Sequence, residues 1–223
     1  HENIVKVHGV LTTTRGVIMM LEYFELGDVL TDLKRTGGYG TDRTVDFGFQ
    51  IGSALSFLHS KSIIHRDVKP ENVLVSSTVN NVVKFVLTDF GLARTCSSAD
   101  ACLTFVGTQA YMAPEIFRMQ RGYVAGYCSK ADVWSLGVTM YACFTNELPF
   151  SFSCSPADGG TCSLSEVRQG IKEASCILKL MVMTCLVLDP AARKEMTSAH
   201  TDWMRRRSFE CDEISFMRCI GQS

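Results

Sequence analysis

Apolar positions recur at helical spacing through most of the chain and gather in short runs near its start. Arg43 to Ser60 sets Val45, Phe49, Leu55 and Leu58 along one side of a long amphipathic helix. Gly48 and Gly52 inside it lower helix propensity, which points to close packing against a neighbour. Lys130 to Thr145 is apolar nearly all round, through Val133, Trp134, Leu136, Val138, Met140 and Tyr141, and such helices are buried. Helical patterns resume over Leu164 to Gly170 and Glu173 to Leu188. Val17 to Leu21 is a short apolar run that on its own fits a strand or a helix segment. Val73-Leu74-Val75 reads as a strand. Gly37-Gly38-Tyr39-Gly40, and Ser151 to Ser163 with Pro156 and Gly159-Gly160, read as loops.

At 223 residues and 46% apolar composition, the chain suits one large domain or two small ones with a full core. A net charge of −1 and a pI near 6.6 give no general attraction to nucleic acid or to an anionic membrane. The ten cysteines are scattered without a CxxC pair, so free thiols in a reducing compartment are expected, not a disulfide framework or a metal centre. No apolar run reaches the roughly 18–20 residues that cross a bilayer, and no signal peptide is visible. Arg205-Arg206-Arg207 reads as a solvated charge run, with phosphate or partner binding as the alternative.

The chemistry is concentrated in His65-Arg66-Asp67-Val68-Lys69-Pro70-Glu71-Asn72. A carboxylate, an ammonium and an amide stand two and three residues apart, between the helix ending near Leu58 with Ile63-Ile64 and the strand at Val73. Rigid flanking elements make such a loop a good place to present catalytic groups. Taken singly, each residue also fits an Asp/Asn turn with a solvated Lys. As a unit the octapeptide resembles the catalytic loop of the eukaryotic protein kinases, H-R-D-x-x-x-x-N. Further blocks follow in that family's order: Asp89-Phe90-Gly91, Gly107-Thr108 ahead of Tyr111, Ala113-Pro114-Glu115, Asp132-Val133-Trp134-Ser135-Leu136-Gly137 and Asp189-Pro190-Ala191-Ala192-Arg193. The match runs from His1 to about Thr197.

The resemblance implies an α+β, protein-kinase-like fold, mostly the helical large lobe with only a remnant (strands 4–5) of the small β lobe. It divides the chain into a small-lobe remnant and hinge at 1–24, a large lobe at 25–200 and a C-terminal extension at 201–223. Asp67 is then the catalytic base, Lys69 neutralises the transferring phosphoryl group, and Asn72 and Asp89 hold Mg2+. Leu21 takes the gatekeeper position. Glu22 and Phe24 carry the hinge groups facing the adenine of ATP, and Leu74 packs under that ring. Asp28 is read as a ribose partner or as a helix N-cap, and the two readings are compatible. His65 and Phe90 are core residues in this reading, Asp132 fixes the catalytic-loop backbone, and Glu115 with Arg193 forms a buried structural ion pair.

Residues 89–115 resemble the activation segment. Thr104 is the first-choice phosphosite, ahead of Ser97 and Ser98, for an upstream kinase or for autophosphorylation, with Arg66 as the phosphate's partner. An ordinary surface loop is the alternative. Lys69 together with Gly107-Thr108 points to the serine/threonine branch. The implied activity is transfer of the γ-phosphoryl of Mg-ATP to protein Ser/Thr hydroxyls. The implied partners are ATP and a protein substrate, with no nucleic acid and no membrane, in the cytoplasm or the nucleus. The family places its Gly-rich loop, strand-3 Lys and helix-C Glu ahead of the His1-Glu2-Asn3 segment, and none of the three is in this chain. The expectation is therefore an N-terminally truncated catalytic domain, with a non-catalytic kinase-like binding or regulatory protein as the alternative.

Overall fold

Pairing settles the ambiguous run at Val17. In the computed structural model, which describes residues 1–77, 83–95, 106–120, 128–150 and 164–206, β1 (Val7–Thr13) and β2 (Gly16–Leu21) form an antiparallel ribbon. The connection is two residues long, and Gly16 takes a φ of 145° that side chains rarely adopt. Val10, Leu11, Val17, Ile18, Met19 and Met20 are each more than half exposed, so little is packed against either face of the ribbon.

After the ribbon, α1 (Val29–Thr36) begins at an Asp28 N-cap and stops at Gly37, whose N–H donates to the Leu33 carbonyl at 2.8 Å from a left-handed conformation. The long helix α2 spans Thr41–Ser60, two residues earlier than the hydrophobic pattern indicated. Thr44 draws the start forward, because its N–H and its hydroxyl both donate to the Gly40 carbonyl at 3.0 Å. β3 (Ile63–Ile64), β4 (Val73–Ser77), β5 (Val83–Leu87) and β6 (Arg94–Thr95) follow, paired antiparallel as β3–β6 and β4–β5. The remaining helices are α3 (Pro114–Gln120), α4 (Lys130–Thr145), α5 (Leu164–Gly170), α6 (Cys176–Cys185) and α7 (Met196–Arg206).

α4 is the axis of the core, buried at every position from Ala131 to Cys143. Its polar members are matched: Ser135 Oγ donates to the Tyr111 carbonyl at 2.8 Å, and Thr139 Oγ1 to Ser135 O at 2.7 Å. α2 packs against α4, α6, α7 and β5, and its two glycines lie where neighbours come closest. A Cβ at Gly48 would stand 2.5 Å from Met181 Cε, and one at Gly52 would stand 3.1 Å from Trp203 Cζ3.

Two boundaries differ from the sequence reading. α6 covers Cys176–Cys185 instead of the expected 173–188, because Ser175 turns extended and caps it, accepting from Leu178 N–H. α7 runs through the boundary placed at residue 200, with Trp203 fully buried. Glu115 and Arg193 form the expected buried pair, bidentate at 2.6 and 3.1 Å. Arg193 also donates to the Val187 and Lys130 carbonyls, both at 2.9 Å, and its guanidinium lies 5.0 Å from the Trp134 ring. The Ser151–Ser163 loop and Arg207 lie outside the described residues. Among the described residues, no helix is long and apolar enough to cross a membrane. Cys128, Cys143, Cys176 and Cys185 are free thiols, and burial pushes Cys143 and Cys185 up, which keeps them unreactive.

Candidate active site

The loop between β3 and β4 is held from below by α4. Asp132, 1% exposed, accepts from two successive backbone N–H groups, His65 at 2.9 Å and Arg66 at 2.8 Å, and from His59 Nε2 at 2.9 Å. Burial alone would raise its carboxyl, but the His59 hydrogen bond, nearby histidine charge and the His65 N–H outweigh it, leaving the pKa below the ordinary carboxylate value. This anchorage holds Arg66 in a left-handed conformation at φ 71° and starts the loop in one direction. His65 is fully buried. Its Nε2 donates to the Thr88 carbonyl at 2.9 Å, and its ring stands edge-on to Phe90 at 5.1 Å, so it props the loop as a core residue.

Asp67 is surrounded by donors. Its Oδ1 accepts the Thr108 N–H at 3.0 Å and the Thr108 hydroxyl at 2.9 Å, while Oδ2 accepts from Asn72 Nδ2 at 2.9 Å and meets Lys69 Nζ at 2.7 Å. Lys69 also donates to Thr108 Oγ1 at 2.6 Å, and Asn72 Nδ2 to the Asp67 carbonyl at 2.8 Å. Burial raises the Asp67 pKa, but hydrogen bonds from Lys69 and Thr108 and the Lys69 charge together bring it below its ordinary value. The group is thus an ionised carboxylate in a half-buried, cation-lined setting. Such a carboxylate can accept a proton from a hydroxyl brought beside it.

Asn72 and Asp89 are brought together by the β4–β5 pairing. Thr88 N–H donates to the Asn72 carbonyl at 2.9 Å, so Asp89 begins one residue beyond that contact. Both Asn72 hydrogen bonds use the amide nitrogen, so its amide oxygen is open among the described residues. Asp89 is exposed and left-handed at φ 57°, with Oδ1 accepting from Gly91 N–H at 3.1 Å. A carboxylate and an amide oxygen are the hard donors Mg2+ prefers, and Mg2+ typically takes only one or two carboxylates plus phosphate oxygens. The donor set therefore fits the ion. Among the described residues, no group of three His, Cys, Asp or Glu forms an all-protein metal cage.

Two of the residues expected to face adenine, Phe24 and Leu74, share a small apolar cluster. Phe24 is buried with Val5 and Val86, and half-buried Leu74 and Phe90 pack against them. Asp28 forms a bridge to Leu74, and Val75 N–H donates to the Gly27 carbonyl at 2.9 Å. Asp28 Oδ1 accepts from Thr31 N–H at 2.7 Å, so its N-cap role is realised. Glu22 N–H is taken by the Lys6 carbonyl at 2.9 Å, while the Glu22 carbonyl and the Phe24 N–H have no partner among the described residues.

Arg66 Nε donates to the Leu92 carbonyl at 2.5 Å, at the start of the segment that leads to Thr104. Thr104, Ser97 and Ser98 lie outside the described residues. Two contributors escaped the sequence reading. His59 supports Asp132 from the last turn of α2, and Thr108 touches Asp67 and Lys69 directly. The Gly107-Thr108 pair ahead of Tyr111 was the available signal for the second. Gly107 takes a φ of 112°, and a Cβ there would stand 2.6 Å from the Arg66 carbonyl, so the approach of Thr108 to the loop needs a glycine.

The chain matches the family model described as "Protein kinase domain" over residues 1–204. It is 29% identical over 214 residues to the ovarian-specific serine/threonine-protein kinase Lok of Drosophila melanogaster, covering 92% of this chain and 43% of that protein. It is 37% identical over 163 residues to the human serine/threonine-protein kinase ULK1, covering 71% of this chain and 15% of that one. With the serine/threonine-protein kinase RAD53 of Saccharomyces cerevisiae it shares 35% identity over 161 residues, 69% of this chain and 19% of that protein. The chain thus spans less than half the length of each of these relatives.

Proposed function

This chain belongs to the protein kinase family, and from that premise we propose that it carries the catalytic centre of an ATP-dependent serine/threonine protein kinase. One observation carries the reading. Asp67 is held ionised between Lys69, Thr108 and Asn72, at the mouth of a loop fixed by Asp132. In this reading Asp67 accepts the proton of the substrate hydroxyl and orients its oxygen toward the γ-phosphorus. Lys69, already beside that carboxylate, offsets negative charge on the moving phosphoryl group. Thr108 keeps both side chains in register. Asn72 and Asp89 would hold Mg2+, which supplies charge neutralisation between the phosphates. The Glu22 carbonyl and Phe24 N–H meet the adenine edge, Leu74 lies against its face, and Asp28 meets the ribose.

The serine/threonine assignment rests on Lys69 and its bond to Thr108, together with the names of the similar kinases. Cytoplasmic location, with the nucleus as the alternative, belongs to the same proposal, as does a regulatory phosphate at Thr104. The experiment is phosphoryl transfer from ATP to a generic Ser/Thr peptide. It is run on the 223-residue chain and on the full reading frame that contains it, each with Asp67→Asn and Asp89→Ala alongside. Activity abolished by either substitution is the expected result. Inactivity of both forms, with no nucleotide binding, would overturn the enzyme reading in favour of a kinase-like binding protein.

A further inference from the structure

Among the described residues, the sheet that contains β5 has one other strand, β4. Thr88 N–H bonds the Asn72 carbonyl across that ladder. By the alternation of an antiparallel pair, Val83, Phe85 and Leu87 therefore turn their backbone groups to the opposite edge. An edge left open in this way needs partners. Gln50 of α2 takes the first part of it. Its Nε2 donates to the Val83 carbonyl at 3.0 Å, and its Oε1 accepts from the Phe85 N–H at 2.8 Å. Asn3, 5% exposed, takes the next part, donating from Nδ2 to the Phe85 carbonyl and to Gln50 Oε1, both at 2.9 Å. The Asn3 carbonyl accepts from Leu87 N–H, and Val5 N–H donates to the Leu87 carbonyl, again both at 2.9 Å. Gln50 Oε1 faces two donors and Nε2 faces an acceptor, so only one orientation of the amide satisfies the edge.

The consequence lies in where these contacts fall along two elements. In its last turn α2 carries His59, whose ring reaches Asp132 beneath the loop that bears Asp67. About two and a half turns earlier on the same helix, Gln50 grips β5. β5 ends at Leu87, two residues before Asp89. One helix thus supports the loop of the proton acceptor at one point and the strand of the metal donor at another. The two carboxylates come from separate segments, and a misplacement of about 1 Å between reacting groups can cost on the order of 100-fold in rate.

We propose that Gln50 is a positioning residue for phosphoryl transfer, a role that rests on reading Asp67 as the base and Asp89 as a Mg2+ donor. Acting through β5, it keeps Asp89 in register with the Asp67 loop that α2 also supports. Asn3 completes the clamp from the strand's far side of Phe85.

The first arm of the test needs no activity. Gln50→Met keeps the length of the side chain and removes its hydrogen bonds. Amide hydrogen exchange of the 223-residue chain should speed up about tenfold or more at Phe85 and at Thr88, the residue before Asp89. Arg66 and Thr108, whose N–H groups bond Asp132 and Asp67, keep their protection. The second arm is the Mg2+ requirement of phosphoryl transfer by the full reading frame at saturating ATP. Gln50→Met raises the half-maximal Mg2+ concentration about tenfold, and the acid limb of the pH profile, which Asp67 sets, stays in place. Gln50→Glu keeps the acceptor for Phe85 and Asn3 and falls between Gln50→Met and the wild type in both arms. Ser56→Ala loses a bond to Thr197 from the same helix and none to β5, so it behaves as the wild type. Equal acceleration at all of these amides, or acceleration at Phe85 alone, would overturn the proposal, as would an unchanged Mg2+ requirement in an active enzyme. A wild type without phosphoryl transfer would instead refute the kinase reading, and the exchange arm would still decide whether Gln50 sets the register of Asp89.

Discussion

Thr108 reaches Asp67 with two donors at once, its backbone N–H and its hydroxyl both ending on Oδ1, at 3.0 and 2.9 Å. Lys69 closes the triangle, 2.6 Å from the Thr108 oxygen and 2.7 Å from Asp67 Oδ2. The Asp67 carboxylate, the Lys69 cation and the segment leading to Tyr111 are thereby one hydrogen-bonded unit. Disturbing any member should be felt by the other two.

Thr108→Val keeps the N–H and removes the hydroxyl. Phosphoryl transfer is expected to fall about tenfold or more, in line with the loss of a hydrogen bond to a charged group. The Asp67 pKa is depressed, so the carboxylate's contribution to stability is present above its ordinary value of 3.8 and is lost as pH falls through the folded value. With one donor fewer, the acid limb of kcat/KM against pH moves upward. A pH–rate profile of both proteins checks this, and an unmoved acid limb would count against Asp67 as the titrating base.

Glu115 and Arg193 are both buried, and Arg193 serves two carbonyls besides its partner carboxylate. Glu115→Gln should cost about 3–5 kcal/mol, because it leaves a buried guanidinium uncompensated. Arg193→Met should cost at least as much, since the Val187 and Lys130 carbonyls also lose a donor. Combining Glu115→Gln with Arg193→Met should cost less than the sum of the single changes. Urea unfolding of the set, analysed as a double-mutant cycle, decides it.

Gly137 and Gly107 are expected to reject alanine for different reasons. A Cβ at Gly137 would stand 2.5 Å from Cys185 Cβ and 2.9 Å from Leu186 Cδ2, so Gly137→Ala forces α4 and α6 apart and costs about 1–3 kcal/mol. Gly107→Ala meets the Arg66 carbonyl at 2.6 Å from an unfavourable φ. It should displace Thr108 and reduce activity more than it reduces stability. Parallel measurement of unfolding and phosphoryl transfer separates the two effects.

His200 donates from Nε2 to the Phe49 carbonyl at 3.1 Å where α7 meets α2, and burial holds its pKa below the ordinary 6.5 despite that bond. The unfolded chain therefore takes up this proton first as pH falls. Stability should decline from about pH 6.5 downward and level off below the folded pKa. His200→Gln should flatten that part of the curve. Urea midpoints between about pH 8 and 5 for both proteins give the slope, and identical slopes would mean that other groups carry it.

Much of the site is legible in residue order alone, because its chemistry is a matter of residue type at fixed spacing. Asp67, Lys69, Asn72 and Asp89 stand in motifs whose spacing survives any rearrangement of loops, and the fold places Lys69 and Asn72 within hydrogen-bond reach of Asp67. The support behind them is less legible. Nothing local marks His59 as a partner of Asp132, since that contact joins positions 73 residues apart. The closeness of Thr108 to Asp67, over 41 residues, likewise depends on Gly107 passing the Arg66 carbonyl.

Which stretches turn apolar faces inward is written in residue order. α4 and α5 keep the bounds their patterns predict, and α2 follows its pattern to within two residues, because helical periodicity is written within a few turns of chain. Packing between distant segments settled that α6 stops at Cys185 and that Trp203 has an indole N–H without an acceptor among the described residues. Each of those outcomes depends on what a residue meets from a distant part of the chain. Local pattern states that a group must be buried or matched, and only packing chooses the partner.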